Sequence, residues 1–138
     1  MAVVVFDADV LIGFLGGEDI HHADAVACVR RALEPGTRRL ICAVHYTEVL
    51  IGPLDKLGRR GAEIVDAMLV RFGIETIAVD VELAQRAASV RAQTKLKLPD
   101  AYALATALDA KRRSDTDVRI ESFDRRVVSA YQTLQRSM

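Results

Sequence analysis

The sequence of 138 residues contains no tryptophan, few aromatic residues and only two cysteines. Aromatic residues make up 5% of the chain, so the core must be built mainly from Val, Leu, Ile and Ala. Cys28 and Cys42 are too few for a disulfide framework and form no metal-type cluster. We therefore expect both to be reduced thiols in the core of a cytoplasmic protein.

Long hydrophobic runs are also missing from the chain. No apolar stretch approaches the roughly 20 residues that cross a bilayer, so we expect no membrane association. The first apolar run is short and has no basic residue before it, unlike a secretory signal peptide. With 51% apolar residues and no linker composition, the sequence predicts one globular domain that spans residues 1–138.

An excess of either charge is lacking, because 19 basic residues balance 19 acidic ones. A neutral chain is a poor candidate for indiscriminate binding to nucleic acid. The two signs are nevertheless unevenly distributed. Residues 1–85 contain 8 basic and 13 acidic residues, whereas residues 86–138 contain 11 and 6. This leaves room for a local basic rim around an acidic pocket.

The chain does contain a strongly patterned opening. Residues 2–6 are continuously apolar, which is typical of a strand buried on both faces in a parallel sheet. Asp7 follows that strand directly, at the edge where open α/β sheets place their ligands. Two interpretations stay open for Asp7 and Asp9: one of them caps a helix over residues 8–15, or they take part in a polar or metal site.

Strands and helices alternate along the rest of the chain, which predicts an α/β fold with a mainly parallel sheet between helices. Further strands are predicted at residues 38–44, 74–79 and 118–123. A short helix starting at residue 45 is expected to stop at Pro53. Other helices are predicted at residues 21–33, 61–72, 81–94 and 101–108, the last with Pro99 suited to its N1 position. A short helix is predicted at residues 125–128, and the tail from Tyr131 is left open between an edge strand and a helix extension.

Four carboxylates lie near strand–helix junctions: Asp7, Glu48, Asp100 and Asp124. Glu48 lies in an apolar segment, and Asp100 opens a helix that is apolar nearly all round. For Asp100 and Asp124 the alternative is an ordinary place at a helix start. In a parallel sheet all four would converge at one edge. Crowded carboxylates repel one another, and an all-oxygen set favours Mg²⁺ or Mn²⁺ as the neutralising ion.

Four motifs in order resemble those of PIN-domain nucleases: Val5–Ile12, Tyr46–Leu50, Leu98–Ala107 and Ser122–Asp124. The chain length is similar to that of VapC-type toxins from toxin–antitoxin pairs. The resemblance implies a three-layer α/β/α sandwich and a metal-dependent endoribonuclease. Asp7, Glu48, Asp100 and Asp124 would hold one or two Mg²⁺ or Mn²⁺ ions, which activate a water that cleaves an RNA phosphodiester and leaves a 5′-phosphate.

The resemblance also implies partners and supporting residues. It implies a homodimer and a cognate antitoxin, for which the apolar face of Leu50, Ile51, Leu54 and Leu57 is a candidate groove. Asp9 stands where the family often has Ser, Thr or Asn, so it would support the ligands or act as a weak extra ligand. Ser122 stands where Thr is common and keeps the hydroxyl.

Basic residues flank two of the acids and are candidates for RNA contact. These rim candidates are Arg91, Lys95, Lys97, Arg125 and Arg126. For any one of them an ordinary solvated charge is the competing interpretation.

Two other functions fit parts of the sequence. An apolar strand ending in Asp-x-Asp resembles haloacid-dehalogenase-type phosphatases, with Asp7 as nucleophile, although the Gly-Asp pair of their later acidic motif does not occur here. The other alternative is a nuclease fold retained only to bind RNA or a partner. Metal-dependent cleavage of RNA would be expected of the nuclease and of neither the phosphatase nor the binding module.

Overall fold

A computed structural model describes residues 1–137 and shows a four-stranded, wholly parallel sheet with helices on both faces. The predicted three-layer α/β fold is therefore confirmed. The strand order is β3-β2-β1-β4. The strands are β1 Ala2–Phe6, β2 Thr37–Cys42, β3 Ile74–Ile77 and β4 Asp117–Glu121.

Seven helices connect and follow these strands within the described residues. Helices α1 (Ala8–Leu15) and α2 (His22–Ala32) lie between β1 and β2, and α3 (Ala43–Leu57) and α4 (Arg59–Arg71) lie between β2 and β3. Helices α5 (Val81–Thr94) and α6 (Leu98–Ser114) precede β4, and α7 (Arg125–Arg136) follows it.

The sheet separates two apolar cores, because successive strand side chains point to opposite faces. In β1, Val3 and Val5 pack with α5, α6 and α7, whereas Val4 and Phe6 pack with α1 to α4. These four side chains of β1 are essentially inaccessible to solvent. The expectation of a strand buried on both faces is confirmed, and both cores are largely aliphatic as predicted. Cys28 and Cys42 are buried free thiols.

The order of the strands places a topological switch beside β1. The chain moves from β1 outward through β2 to β3, and then crosses back to add β4 on the other side of β1. Ligands of open α/β sheets bind beyond the carboxyl ends of the strands at such a switch. Asp7 follows β1 and Asp124 follows β4, so these two acids lie on either side of this crevice.

Several predicted boundaries were wrong. Helix α6 covers Leu98–Ser114 rather than residues 101–108, and β2 ends at Cys42 rather than at residue 44. Helix α3 does not stop at Pro53 but continues to Leu57. Proline disfavours a helix interior by about 3 kcal/mol, but tertiary packing can override that preference. Here α4 packs directly against the Pro53 carbonyl. The chain after Asp124 forms helix α7, which resolves the question of the final segment in favour of a helix.

None of the helices within residues 1–137 is both long and apolar enough to span a bilayer.

The close contact between α3 and α4 depends on Gly61. A Cβ atom at this position would overlap the carbonyl of Pro53. We predict that Gly61→Ala lowers the free energy of unfolding by about 3 kcal/mol or more, because backbone atoms cannot move aside as a flexible side chain can. Chemical denaturation followed by circular dichroism measures the change.

Gly52→Ala is the matched control, since Gly52 lies in α3 and an added Cβ meets nothing within 4 Å. This variant should be as stable as the parent or up to about 1 kcal/mol more stable. Equal effects of the two substitutions would contradict the proposed packing constraint.

Candidate metal centre

Asp7 is the acid at the middle of the site, directly after the central strand β1. It is only 6% exposed. Its Oδ1 accepts a hydrogen bond from the Ala8 amide at 2.8 Å, and its Oδ2 accepts one from the Ser122 hydroxyl at 2.8 Å. Asp7 is therefore both the N-cap of α1 and part of a polar cluster, so the two sequence interpretations are compatible.

A buried histidine lies against Asp7. Nδ1 of His45, on α3, is 3.1 Å from Asp7 Oδ1 and 3.1 Å from Glu48 Oε1. Nε2 of His45 is 2.8 Å from the carbonyl oxygen of Pro99, in the first turn of α6. A carbonyl can only accept, so Nε2 must donate. The ring thus touches residues of three separate elements.

The surroundings of Asp7 stabilise its charge despite burial. Desolvation alone would raise the pKa of Asp7, but the hydrogen bond and charge of His45 outweigh it. Ser122 and the Ala8 amide act in the same direction, and the net effect is a lowered pKa. For His45 burial acts to lower the pKa, and the contacts with Asp7, Pro99 and Glu48 reverse that effect and raise it.

Asp9 is held by the segment that follows β4. Its Oδ2 accepts from the Phe123 amide at 3.0 Å and lies 3.5 Å from the Ser122 hydroxyl. Its Oδ1 is buried and has no hydrogen-bond partner. Burial and the neighbouring Asp7 charge raise the pKa of Asp9 to about 6. Ser122 therefore contacts both acids of the Asp7–Asp9 pair, as the resemblance suggested for a supporting residue.

Glu48 and Asp100 are half-buried and close enough to interact electrostatically with the other acids. Burial raises the pKa of Glu48, and the charges of Asp7 and Asp100 add to this effect. Burial also raises the pKa of Asp100, and the charges of Asp7 and Asp124 raise it further. Contacts place all four predicted acids at the same edge of the sheet. His45 contacts Asp7, Glu48 and the Pro99 carbonyl next to Asp100, and the Ser122 hydroxyl contacts both Asp7 Oδ2 and the Asp124 amide.

Asp124 has a different environment from the other three acids. Its side chain caps α7 by accepting from the Arg126 amide at 2.9 Å, and it pairs with the Arg126 guanidinium at 3.1 Å. The hydrogen bond from the Arg126 side chain lowers the pKa of Asp124. The helix-capping interpretation of this acid is confirmed, and the acid also lies in the cluster.

The basic rim candidates divide into two groups. Lys97 and Arg126 lie near the acids: Lys97 lowers the pKa of Glu48, Asp100 and Asp124, and Arg126 pairs with Asp124. The other three candidates are exposed, and no effect on the four acids is resolved for them: Arg91, Lys95 and Arg125.

The chemistry of this cluster suits a hard cation. Glu48 Oε1 and Asp9 Oδ1 are buried carboxylate oxygens without a hydrogen bond; the His45 contact with Glu48 lacks hydrogen-bond geometry. Buried anionic oxygens of this kind need a donor or a cation. Within residues 1–137, no three His, Cys, Asp or Glu side chains are arranged so that they could already hold an ion. Side-chain rotation would have to complete such a site.

His45 is not among the residues that the sequence singles out, and its contacts with Asp7 and Pro99 are visible only in the structure. The available signal was its place three residues before Glu48, on the same helix face, within an otherwise apolar segment. What the sequence could not show is the Pro99 carbonyl, which lies 54 residues away along the chain.

Solved structures of toxins are similar to this fold. A toxin–antitoxin complex from Klebsiella pneumoniae matches with a TM-score of 0.65 and 23% identity, over 88% of this chain and 86% of that chain. VapC20 from Mycobacterium tuberculosis, described as a sarcin–ricin loop cleaving toxin, matches with a TM-score of 0.70 and 15% identity, over 92% and 94%. VapBC-1 from nontypeable Haemophilus influenzae matches with a TM-score of 0.65 and 12% identity, over 97% of this chain and 93% of that chain.

At these identities the structural matches show a shared fold. None of the curated proteins compared with the chain matches it. The family model of the PIN domain, however, matches residues 4–132, which is nearly the whole chain and includes all four acids. The chain therefore belongs to the PIN-domain family.

Proposed function

We propose that this protein is a Mg²⁺- or Mn²⁺-dependent endoribonuclease and the toxin of a toxin–antitoxin pair. The main supporting observation is the gathering of four acids at the switch point of the sheet: Asp7, Glu48, Asp100 and Asp124. His45 contacts Asp7, Glu48 and the carbonyl next to Asp100, and the Ser122 hydroxyl contacts Asp7 and the Asp124 amide. Membership of the PIN-domain family and the similarity to toxin structures add to this support.

Each of the four acids has a proposed place as a metal ligand. When bound there, a divalent ion would activate a water molecule and offset charge on the scissile phosphate. The protein contributes carboxylates at defined positions. Hydrogen bonds and the charge of His45 lower the pKa of Asp7, whereas burial and neighbouring carboxylates raise the pKa values of Glu48 and Asp100. A bound cation would oppose that rise. Asp9 and Ser122 support Asp7 and the segment before Asp124.

The phosphatase alternative is disfavoured by the sequence and by the family. The Gly-Asp pair of the later acidic motif of those phosphatases does not occur in the chain. The PIN-domain model instead matches residues 4–132. An assay of RNA cleavage distinguishes the nuclease from the alternative of a non-catalytic binding module.

We propose an antitoxin as the protein partner, bound in a groove of about 820 Å³ next to Glu48. The groove lies between the α1–α2 connection and helices α3 and α4. Its apolar lining includes Ile12, Ile51 and Leu57, each at least 42% exposed. Glu18, Asp19 and Glu48 give it acidic borders and outnumber the one basic lining residue, Lys56. These features suit an apolar segment that also contains a basic side chain.

The groove differs in part from the face suggested by the sequence. Ile51 and Leu57 line it, whereas Leu50 is partly buried against the core below and Leu54 lies outside the lining. The reason is the continuation of α3 beyond Pro53, which fixes the helical positions of residues 54–57.

Replacement of Asp100 should lower the activity of the protein without lowering its stability. We predict that Asp100→Asn lowers the rate of RNA cleavage at least about a hundredfold, since even residues that only support metal ligands contribute 10–100-fold. In EDTA the variant should unfold at the same temperature as the parent or higher, because burial and the charges of Asp7 and Asp124 disfavour the ionised Asp100. Cleavage of total RNA with Mn²⁺, with mapping of 5′ ends, and thermal denaturation measure the two effects.

Glu63→Gln is the control, since Glu63 is an exposed α4 residue that pairs with Arg60 at 3.7 Å. It should cleave RNA at the parent rate. Parent-like cleavage by the Asp100→Asn variant would exclude Asp100 as a ligand. Absence of metal-dependent cleavage by the parent would favour the binding-module alternative.

Lys97 is the rim residue best placed to contact RNA, since it precedes α6 and its charge acts on three of the acids. We predict that Lys97→Ala weakens RNA binding and reduces the slope of log affinity against log salt by about 0.7, the value for one phosphate contact with a single strand. Fluorescence anisotropy with a labelled RNA, in Ca²⁺ to suppress cleavage, measures both quantities.

Lys111 provides a control at the opposite end of α6, roughly 21 Å away at 1.5 Å per residue. Lys111→Ala should leave affinity and salt slope unchanged. The same loss in both variants would indicate a general charge effect and contradict a role for Lys97 at the rim.

A further inference from the structure

His45 connects the three elements that supply Asp7, Glu48 and Asp100. It is 1% exposed and lies beneath the acid cluster. Its Nδ1 is 3.1 Å from an oxygen of Asp7, which follows β1, and 3.1 Å from an oxygen of Glu48, on α3. Its Nε2 donates to the carbonyl of Pro99 at 2.8 Å.

The Pro99 contact attaches His45 to the residue next to Asp100. Pro99 directly precedes Asp100 in the first turn of α6. No side chain caps this helix at Lys97, so the imidazole provides a lateral connection between the helix start and the rest of the site. Displacement of the ring would free the Asp100 carboxylate from its fixed relation to Asp7.

We propose that His45 is a positioning residue that fixes Asp7, Glu48 and the start of α6 relative to one another. The effect on an ion rests on the proposed function, whereas the connection between the elements does not. Residues that orient metal ligands typically contribute 10–100-fold to metal affinity or activity.

Simple filling of space does not account for His45. An aliphatic side chain of similar volume would fill the same cavity without burying two polar nitrogens. Both nitrogens of His45 instead face polar atoms of the site. The imidazole ring therefore makes polar contacts on two sides: Nδ1 faces Asp7 and Glu48, and Nε2 faces the Pro99 carbonyl.

Three substitutions of His45 test its two contacts separately: two introduce a side-chain amide and one introduces a hydrocarbon side chain. The side-chain amide nitrogen of His45→Asn can occupy the place of Nδ1, and that of His45→Gln the place of Nε2. His45→Leu fills the space and offers neither donor. Thermal denaturation of each variant establishes that it is folded before other properties are compared.

The first measurement is amide hydrogen exchange without metal. The Ala101 amide, which donates to the Lys97 carbonyl at 3.0 Å, reports on the start of α6. We predict about fivefold faster exchange there in the Asn and Leu variants but not in the Gln variant, as for loss of one hydrogen bond. The Ala8 amide donates to Asp7 Oδ1 at 2.8 Å, so its exchange reports on whether Asp7 is held in place. It should exchange faster in the Gln and Leu variants but not in the Asn variant, whose side-chain amide nitrogen can still donate to Asp7.

The second measurement is Mn²⁺ affinity by calorimetry. His45→Leu should bind Mn²⁺ about tenfold or more weakly than the parent, and each amide variant should recover part of the loss. Parent-like exchange and Mn²⁺ affinity within about twofold in a folded Leu variant would overturn the proposal.

Two further outcomes are decisive. A nitrogen coupling to Mn²⁺ in pulsed electron paramagnetic resonance, present in the parent and lost in the Asn variant, would also overturn it, because His45 would then be a ligand. If the parent binds no Mn²⁺ but the exchange pattern holds, the proposed metal-dependent function fails and the positioning role stands.

Discussion

The structure depends on one buried charge, the Asp7 carboxylate at the end of the central strand. An ionised carboxylate in an apolar environment is costly unless donors surround it. Ser122, the Ala8 amide and His45 surround Asp7, and each comes from a different part of the chain. Asp7 therefore constrains the end of β1, the segment after β4 and helix α3 at once. The two cores on either side of the sheet supply the rigid support for this arrangement.

The acids around Asp7 have an unfavourable arrangement that a cation would relieve. Burial and mutual repulsion raise the pKa values of Asp9, Glu48 and Asp100. Asp124 differs, because Arg126 already neutralises it. We infer that the protein accepts reduced stability at this edge in exchange for affinity toward a divalent ion. Sites that bind or react commonly depart from the most stable arrangement in this way.

Much of this arrangement could be predicted from the sequence, because it is encoded locally. The continuous apolar residues of β1, the positions of Asp7 and Asp124 after β1 and β4, and the aliphatic core are local patterns, and each was confirmed. Asp100 differs, because it follows helix α5 and no strand. The continuation of α3 through Pro53 was not predictable, since it depends on packing of α4 against that turn. The role of His45 could not be predicted, because two of its three partners, Asp7 and Pro99, lie on elements that only the fold brings to α3.

The central claim is that the carboxylates at the switch point form one site for a hard divalent ion. Anomalous diffraction from a crystal soaked in Mn²⁺ tests it most directly. The account predicts a Mn²⁺ peak within coordination distance of Asp7 and at least one of Glu48, Asp100 and Asp124. A fully soaked crystal with no peak at this edge of the sheet, or with Mn²⁺ bound only elsewhere, would contradict it.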